Sequence, residues 1–348
     1  AQGGQFNEAI QIMQTLTSRP VQHAEFYNDL GCFQFQAGEY EAARTSLMKA
    51  LKLQPSLVVA HENMGRLYEA LGQTSDAIQY FQQAIQLGSR NTDIFFQLAE
   101  LYIRQHHAAS AQACLEQCCQ VCAPVPHTVY KKLADLAEQA GQLEKAVSLY
   151  QKAIQISPRN GQLWNNLGNL YAKRGLNDEA ISALGKALEY SPDEGKIFAN
   201  YGNLLIRFGR HQEAIQAYQQ GLELDPDNSG ILNNLANTLR EVGQMDQAIS
   251  VYKRAIALDP DNADSYANLG NVYREQGNMD QAETAYRKAI LLKPDFNEAH
   301  SNLLFFYNYT GRHTKEQIYR SHLDWEAQHG GRERWLTQEY DWCYAPQG

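Results

Sequence analysis

The sequence predicts an all-α fold, a stack of antiparallel helix pairs that returns every 34 residues. Three observations predict it. Small residues recur at Gly31, Gly65, Ala99, Ala134, Gly168, Gly202, Ala236 and Gly270, each 34 residues after the last except for one step of 35. Twelve residues after each stands an alanine: Ala43, Ala77, Ala111, Ala146, Ala180, Ala214, Ala248 and Ala282. Between the two lies a glycine at Gly38, Gly72, Gly141, Gly175, Gly209, Gly243 and Gly277. A period of this length marks a repeat architecture, in which one helix pair buries its apolar face only against its neighbours.

Each element of the repeat has a physical reason. The first helix carries large apolar residues at helical spacing, as at Trp164, Leu167 and Tyr171, and its small residue lets the partner helix approach closely. The glycine supplies the left-handed cap that ends this helix. The second helix carries the alanine and, seven residues on, a further small residue at Ala50, Ala84, Cys118, Ala153, Ala187, Gly221, Ala255 and Ala289. Pro55, Pro158, Pro192, Pro226, Pro260 and Pro294 then close most repeats, because proline cannot continue a helix.

This phase divides the chain. Residues 1–23 read as the second helix of a truncated repeat, with Ala9 at the alanine phase. Eight repeats follow at 24–57, 58–91, 92–126, 127–160, 161–194, 195–228, 229–262 and 263–296. The third holds the extra residue and lacks the closing proline, so a local irregularity is expected there. Residues 297–330 form a degenerate ninth repeat, with Glu316 where the others have alanine, and 331–348 an aromatic tail. Trp325, Trp335 and Trp342 fall in this last stretch and are expected to pack against something, which makes the tail, like the convex face, a candidate for self-association. Both ends cut through a repeat, so a fragment of a longer protein is expected.

Composition narrows the function. The chain has 348 residues, 44% of them hydrophobic, a net charge of −9 and a pI near 5.6. That suits a packed core and argues against nucleic acid or an anionic membrane as partner. No apolar stretch is long enough to span a bilayer. Four of the six cysteines crowd together as Cys114, Cys118, Cys119 and Cys122, unlike a secreted disulfide framework, so a cytoplasmic location is expected. Three of the four are spaced along one helical face, which cannot wrap a metal tetrahedrally, and Cys118 takes a small-residue core position, so packing is favoured over zinc. No nucleophile elbow, phosphate loop or zinc-protease motif occurs, so no catalytic residue, metal or cofactor is expected.

The pattern resembles the tetratricopeptide repeat. The repeat at 161–194 matches it at Trp164, Leu167, Gly168, Tyr171, Ala180, Ala187 and Pro192, with Leu184 in place of the usual aromatic. The resemblance implies a right-handed superhelical solenoid whose first helices line the concave face. Asparagine dominates that face in the later repeats. Counting from the start of each repeat, the sixth residue is Asn166, Asn200, Asn234, Asn268 and Asn302, and the ninth is Asn169, Asn203, Asn237 and Asn271. Residues three apart share a helix face, and an amide offers donor and acceptor together, matching an extended peptide backbone. The expected partner is therefore a protein or extended peptide segment held in an Asn-lined groove. Arg207, Arg240, Glu241 and Arg274 stand between the rungs and would bias which side chains are accepted. The competing reading makes the asparagines scaffold, bonded to the neighbouring repeat. The earlier repeats carry Asp29, Asn63, Gln97 and Lys132 at the sixth position, an uneven set that places a peptide on the C-terminal half. A chaperone-type carboxylate clamp is disfavoured, because Lys131 and Lys132 sit together on one helix and Gln162 and Asn166 follow on the next.

Residues 292–330 bear a second resemblance, carried by His300, Ser301, Asn302, Leu303, Leu304, Phe305 and Trp325. The stretch is similar to the junction in bacterial relatives of O-GlcNAc transferase, where a tetratricopeptide superhelix meets a nucleotide-sugar-dependent domain. It implies that the groove is the acceptor-recognition arm of such a glycosyltransferase, with the catalytic part absent from this chain. The alternative is a free-standing scaffold that assembles a multiprotein complex.

Overall fold

A computed structural model describes residues 2–18, 23–310 and 313–329. All nineteen elements among them are α-helices, joined by short turns, and no described helix is long and apolar enough to cross a membrane. The chain divides into two compact units, Ala1–Arg159 and Asn160–Gly348. The first opens with α1 (Gln2–Thr17), then α2 (Ala24–Gln36) with α3 (Tyr40–Leu53) and α4 (Val58–Ala70) with α5 (Thr74–Gln86). It continues with α6 (Thr92–Arg104) and α7 (Ala108–Val121), then α8 (His127–Gln139) and α9 (Leu143–Ile156). The second holds α10 (Gly161–Lys173) with α11 (Asn177–Tyr190), α12 (Gly195–Arg207) with α13 (His211–Leu224), and α14 (Ser229–Glu241) with α15 (Met245–Leu258). Its last pairs are α16 (Ala263–Glu275) with α17 (Met279–Leu292), and α18 (Asn297–Thr310) with α19 (Lys315–His329).

The helices of a pair meet where the sequence places small against large. A Cβ added to Gly168 would lie 2.7 Å from Leu184 Cγ, and one added to Gly202 would lie 2.5 Å from the Tyr218 ring. The residue received by this gap, sixteen after the small one, is Leu47, Phe81, Leu115, Tyr150, Leu184, Tyr218, Tyr252 or Tyr286, and every one is buried. The eight phased alanines from Ala43 to Ala282 are fully buried beside them. Here the glycines and alanines are selected by lack of volume, since one added methylene in a close-packed interior forces a shift.

The turns follow the same economy of shape. The seven glycines expected to cap first helices all have positive φ, between 69° and 81°. At Gly243 the chain closes a reversal in which Gln244 N donates to Leu239 O at 2.8 Å, satisfying a carbonyl the helix leaves open. In the third repeat the position is His106, which takes φ of 61° without glycine's freedom. Asparagine caps begin α6, α10, α14 and α16, where the Oδ1 atoms of Asn91, Asn160, Asn228 and Asn262 accept a backbone N–H within 3.0–3.2 Å.

In the C-terminal unit each first helix also touches the next first helix, α10 to α12, α12 to α14 and α14 to α16, which brings the first helices to one face. At its end the register changes. α19 leaves Glu316 exposed and bridged to Arg320 at 3.0 Å, while the Trp325 Nε1–H donates to Asn297 Oδ1 at 3.2 Å. The aromatic tail at 331–348, with Trp335 and Trp342, lies outside the described residues.

Candidate functional site

The asparagines expected to line a groove stand on α10, α12, α14, α16 and α18 and reach from one first helix to the next. Asn234 Nδ2 donates to Asn203 Oδ1 at 2.9 Å, and Asn302 Nδ2 to Asn271 Oδ1 at 3.2 Å. The same oxygens receive a second proton from within their own repeat. Tyr218 OH donates to Asn203 Oδ1 and Tyr286 OH to Asn271 Oδ1, each at 2.7 Å, and Tyr252 OH donates to Asn237 Oδ1. A buried hydroxyl requires an acceptor, and the ninth-position amide supplies it. Burial pushes all three tyrosines above the usual phenol range, Tyr286 to about 12, so they stay neutral donors at physiological pH.

The start of the row is different. Leu184 takes the tyrosine's place, and Asn169 receives no hydroxyl. Asn200 Nδ2 donates instead to Asn165 Oδ1 at 2.8 Å, an amide only 1% exposed. Asn166 Oδ1 accepts from Gln162 Nε2 at 2.9 Å and from Asn165 Nδ2 at 3.4 Å. Of the nine asparagines singled out in the sequence, Asn169 and Asn268 alone carry no side-chain hydrogen bond among the described residues. Asn271 is buried at 8% exposure, Asn203 is exposed, and the other seven are half-buried.

The charged residues between the rungs are engaged as well. Arg240 Nη1 meets Glu275 Oε1 at 2.7 Å, and Arg207 Nη1 donates to the Ala172 carbonyl at 2.8 Å. Glu241 lies 3.4 Å from His211 Nδ1, and the Arg274 guanidinium stands 6.0 Å over the Phe305 ring. In the N-terminal unit the equivalent rung is an ion pair, Lys132 Nζ to Glu100 Oε1 at 2.6 Å. Asn63 Nδ2 donates to Asn28 Oδ1 at 2.9 Å in the geometry of Asn200 and Asn165. The longer run of such amides, from Asn165 to Asn302, stands in the C-terminal unit.

Sequence reasoning singled out the sixth and ninth positions and missed the fifth, where Asn28 and Asn165 are buried acceptors. It also missed the tyrosine hydroxyls fifteen residues beyond three of the four ninth-position asparagines. A signal existed, because Asn203, Asn237 and Asn271 coincide with Tyr218, Tyr252 and Tyr286, whereas Asn169 coincides with Leu184.

The cysteine row is packing. Cys114 and Cys118 are buried, and the Cys114 thiol donates to Phe95 O at 3.4 Å. Burial pushes Cys114 to about 12 and Cys118 higher still, so neither is a thiolate near neutral pH. Among the described residues, no three His, Cys, Asp or Glu side chains group as a metal site. His61 lies in the core with Nε2 2.8 Å from Pro55 O.

Comparison with known proteins gives the same repeat. A family model described as the cilia and flagella-associated protein 70 C-terminal domain matches residues 120–303, more than half of the chain. Two tetratricopeptide-repeat models match residues 34–72 and 68–117. The chain is 29% identical over 128 residues to BBSome complex member bbs-4 of Caenorhabditis elegans, covering 37% of this chain and 27% of that protein. It is 29% identical over 149 residues to human protein O-mannosyl-transferase TMTC1, covering 42% and 17%. Human tetratricopeptide repeat protein 7A is 31% identical over 104 residues, covering 30% and 12%. The chain thus spans 27% or less of the length of these curated relatives. A solved structure of Pseudomonas aeruginosa pilF matches with a TM-score of 0.53 and 19% identity over 61% of this chain and 96% of that one, and shows the same fold. Tetratricopeptide arrays are protein-interaction scaffolds, and the chain belongs to the tetratricopeptide family of the cilia and flagella-associated protein 70 C-terminal domain.

Proposed function

We propose that the first-helix face of the C-terminal unit binds an extended segment of a partner protein through its backbone, as part of a scaffold that assembles a multiprotein complex. The observation that carries this reading is the set of amide atoms left over on one face, since the bonds of Asn200, Asn234 and Asn302 to the neighbouring repeat are those the scaffold reading expects. Asn203 keeps its Nδ2 and Asn234 its Oδ1 outside those bonds, so the row retains donors and acceptors for a chain laid across it. The family match and the likeness to a BBSome component favour a ciliary assembly as the setting. The test is face-specific. A fluorescent, uncharged, unstructured peptide titrated against Asn234→Ala plus Asn268→Ala should bind about tenfold more weakly than to the native chain. The control pair Gln247→Ala plus Gln281→Ala, exposed on second helices, should leave affinity unchanged. Equal losses from both pairs would refute the assignment of the face.

A second reading is the acceptor arm of a glycosyltransferase. It is favoured by residues 292–330, which resemble the O-GlcNAc transferase junction, and by the match to an O-mannosyl-transferase. Binding of a uridine diphosphate sugar by the full-length protein would support this reading. Absence of such binding leaves the scaffold.

A further inference from the structure

The row of asparagines is not uniform: Asn169 and Asn268 both stand outside its bonds, and at Asn169 the core beneath differs as well. At Asn203, Asn237 and Asn271 a tyrosine hydroxyl from the second helix of the same repeat holds Oδ1. These amides are oriented from beneath, and part of their acceptor capacity is engaged before any ligand arrives. At the equivalent place in 161–194 the second helix presents Leu184, fully buried and without a polar atom. Asn200 of the next helix turns to Asn165 rather than to Asn169. Asn169 is half-buried, and among the described residues neither its oxygen nor its nitrogen is hydrogen-bonded.

We propose that Asn169 takes the backbone of a bound peptide with its whole amide, and that Leu184 is the residue that keeps it available. Resting on the peptide-binding reading above, this assigns a rung and a register to it. Oδ1 accepts an N–H of the extended chain while Nδ2 donates to the carbonyl of the same residue, the pairing a neighbouring β-strand would offer. Asn203, Asn237 and Asn271 position the row, and Asn268, also without a side-chain hydrogen bond among the described residues, offers a second complete amide three repeats on. The occupant is an extended polypeptide recognised at its amides, so its side chains are only lightly constrained at this rung.

The packing supplies the test. Gly168 faces Leu184 as Gly202 faces Tyr218 and Gly270 faces Tyr286, so an aromatic ring fits at 184. Leu184→Tyr brings the missing hydroxyl to Asn169, whereas Leu184→Phe brings the same ring without a donor. The probe is an acetylated, amidated peptide of alternating Thr and Ala. Binding is followed on the side-chain amide resonances of Asn169 and Asn268 in the full chain, assigned by Asn169→Ala and Asn268→Ala. In the native chain and in Leu184→Phe both resonances should shift together. In Leu184→Tyr the Asn169 response should be lost and affinity should fall about fivefold, while Asn268 still responds. If Asn268 responds and Asn169 does not in the native chain, or if Leu184→Tyr binds as the native chain does, the assignment of Asn169 is overturned and the peptide-binding reading stands. If neither resonance moves, both fall. Should the aromatic variants not fold, the native titration alone decides for or against Asn169.

Discussion

At the scale of single residues, the shape of the backbone explains which positions tolerate change. His106 occupies the cap that seven other repeats give to glycine, at φ of 61° and on the exposed surface. A side chain there strains against its own carbonyl, and glycine removes that strain while adding freedom to the unfolded chain. His106→Gly is therefore expected to stabilise the protein by about 0.5–1 kcal/mol. Urea unfolding followed by circular dichroism measures it, and a loss of stability would show that the histidine ring makes a compensating contact. The glycine caps were legible in the sequence because they keep phase with the small residues. The strain at His106 was not, since a histidine there gives no sign of its dihedral angle.

At the scale of the helix pair, small-against-large packing makes a pair of glycines diverge. Gly202→Ala would drive a methyl to 2.5 Å from the Tyr218 ring and disturb the bond from that tyrosine to Asn203. A destabilisation of about 2 kcal/mol is expected. Gly185 lies within α11 with no atom within 4 Å of its missing Cβ, so Gly185→Ala should stabilise by about 0.5–1 kcal/mol. The two midpoints, measured side by side, check the packing rule. Equal effects would contradict it. Periodicity reveals that both residues are small, but only the partner helix decides which one must be. The same holds for the asparagines. Their shared face was legible from spacing, while the tyrosine hydroxyls beneath Asn203, Asn237 and Asn271 show only once the second helix is packed against the first. In α19 the phase failed outright, because exposed Glu316 gives that helix no buried anchor at the alanine position.

For the molecule as a whole, buried phenols tie the repeats to the protonation state of their core. Tyr286 and Tyr307 are pushed up from the ordinary 10.0 to about 12, both chiefly by burial. Between those values the unfolded chain releases these protons and the native chain retains them. Stability is therefore complete below pH 10 and falls as pH rises toward 12. The melting temperature should drop over that window, and Tyr286→Phe should make the drop shallower. A melting temperature flat to pH 12 would refute the buried neutral phenols.

The central claim is that the first-helix face of the C-terminal unit reads a peptide by its backbone. Its most direct test is the affinity of one unstructured peptide compared with the same sequence N-methylated at alternate amides. Methylation removes N–H donors and leaves every side chain in place. A loss of about tenfold or more is expected. Equal affinity for the two peptides would contradict it and assign recognition to side chains instead.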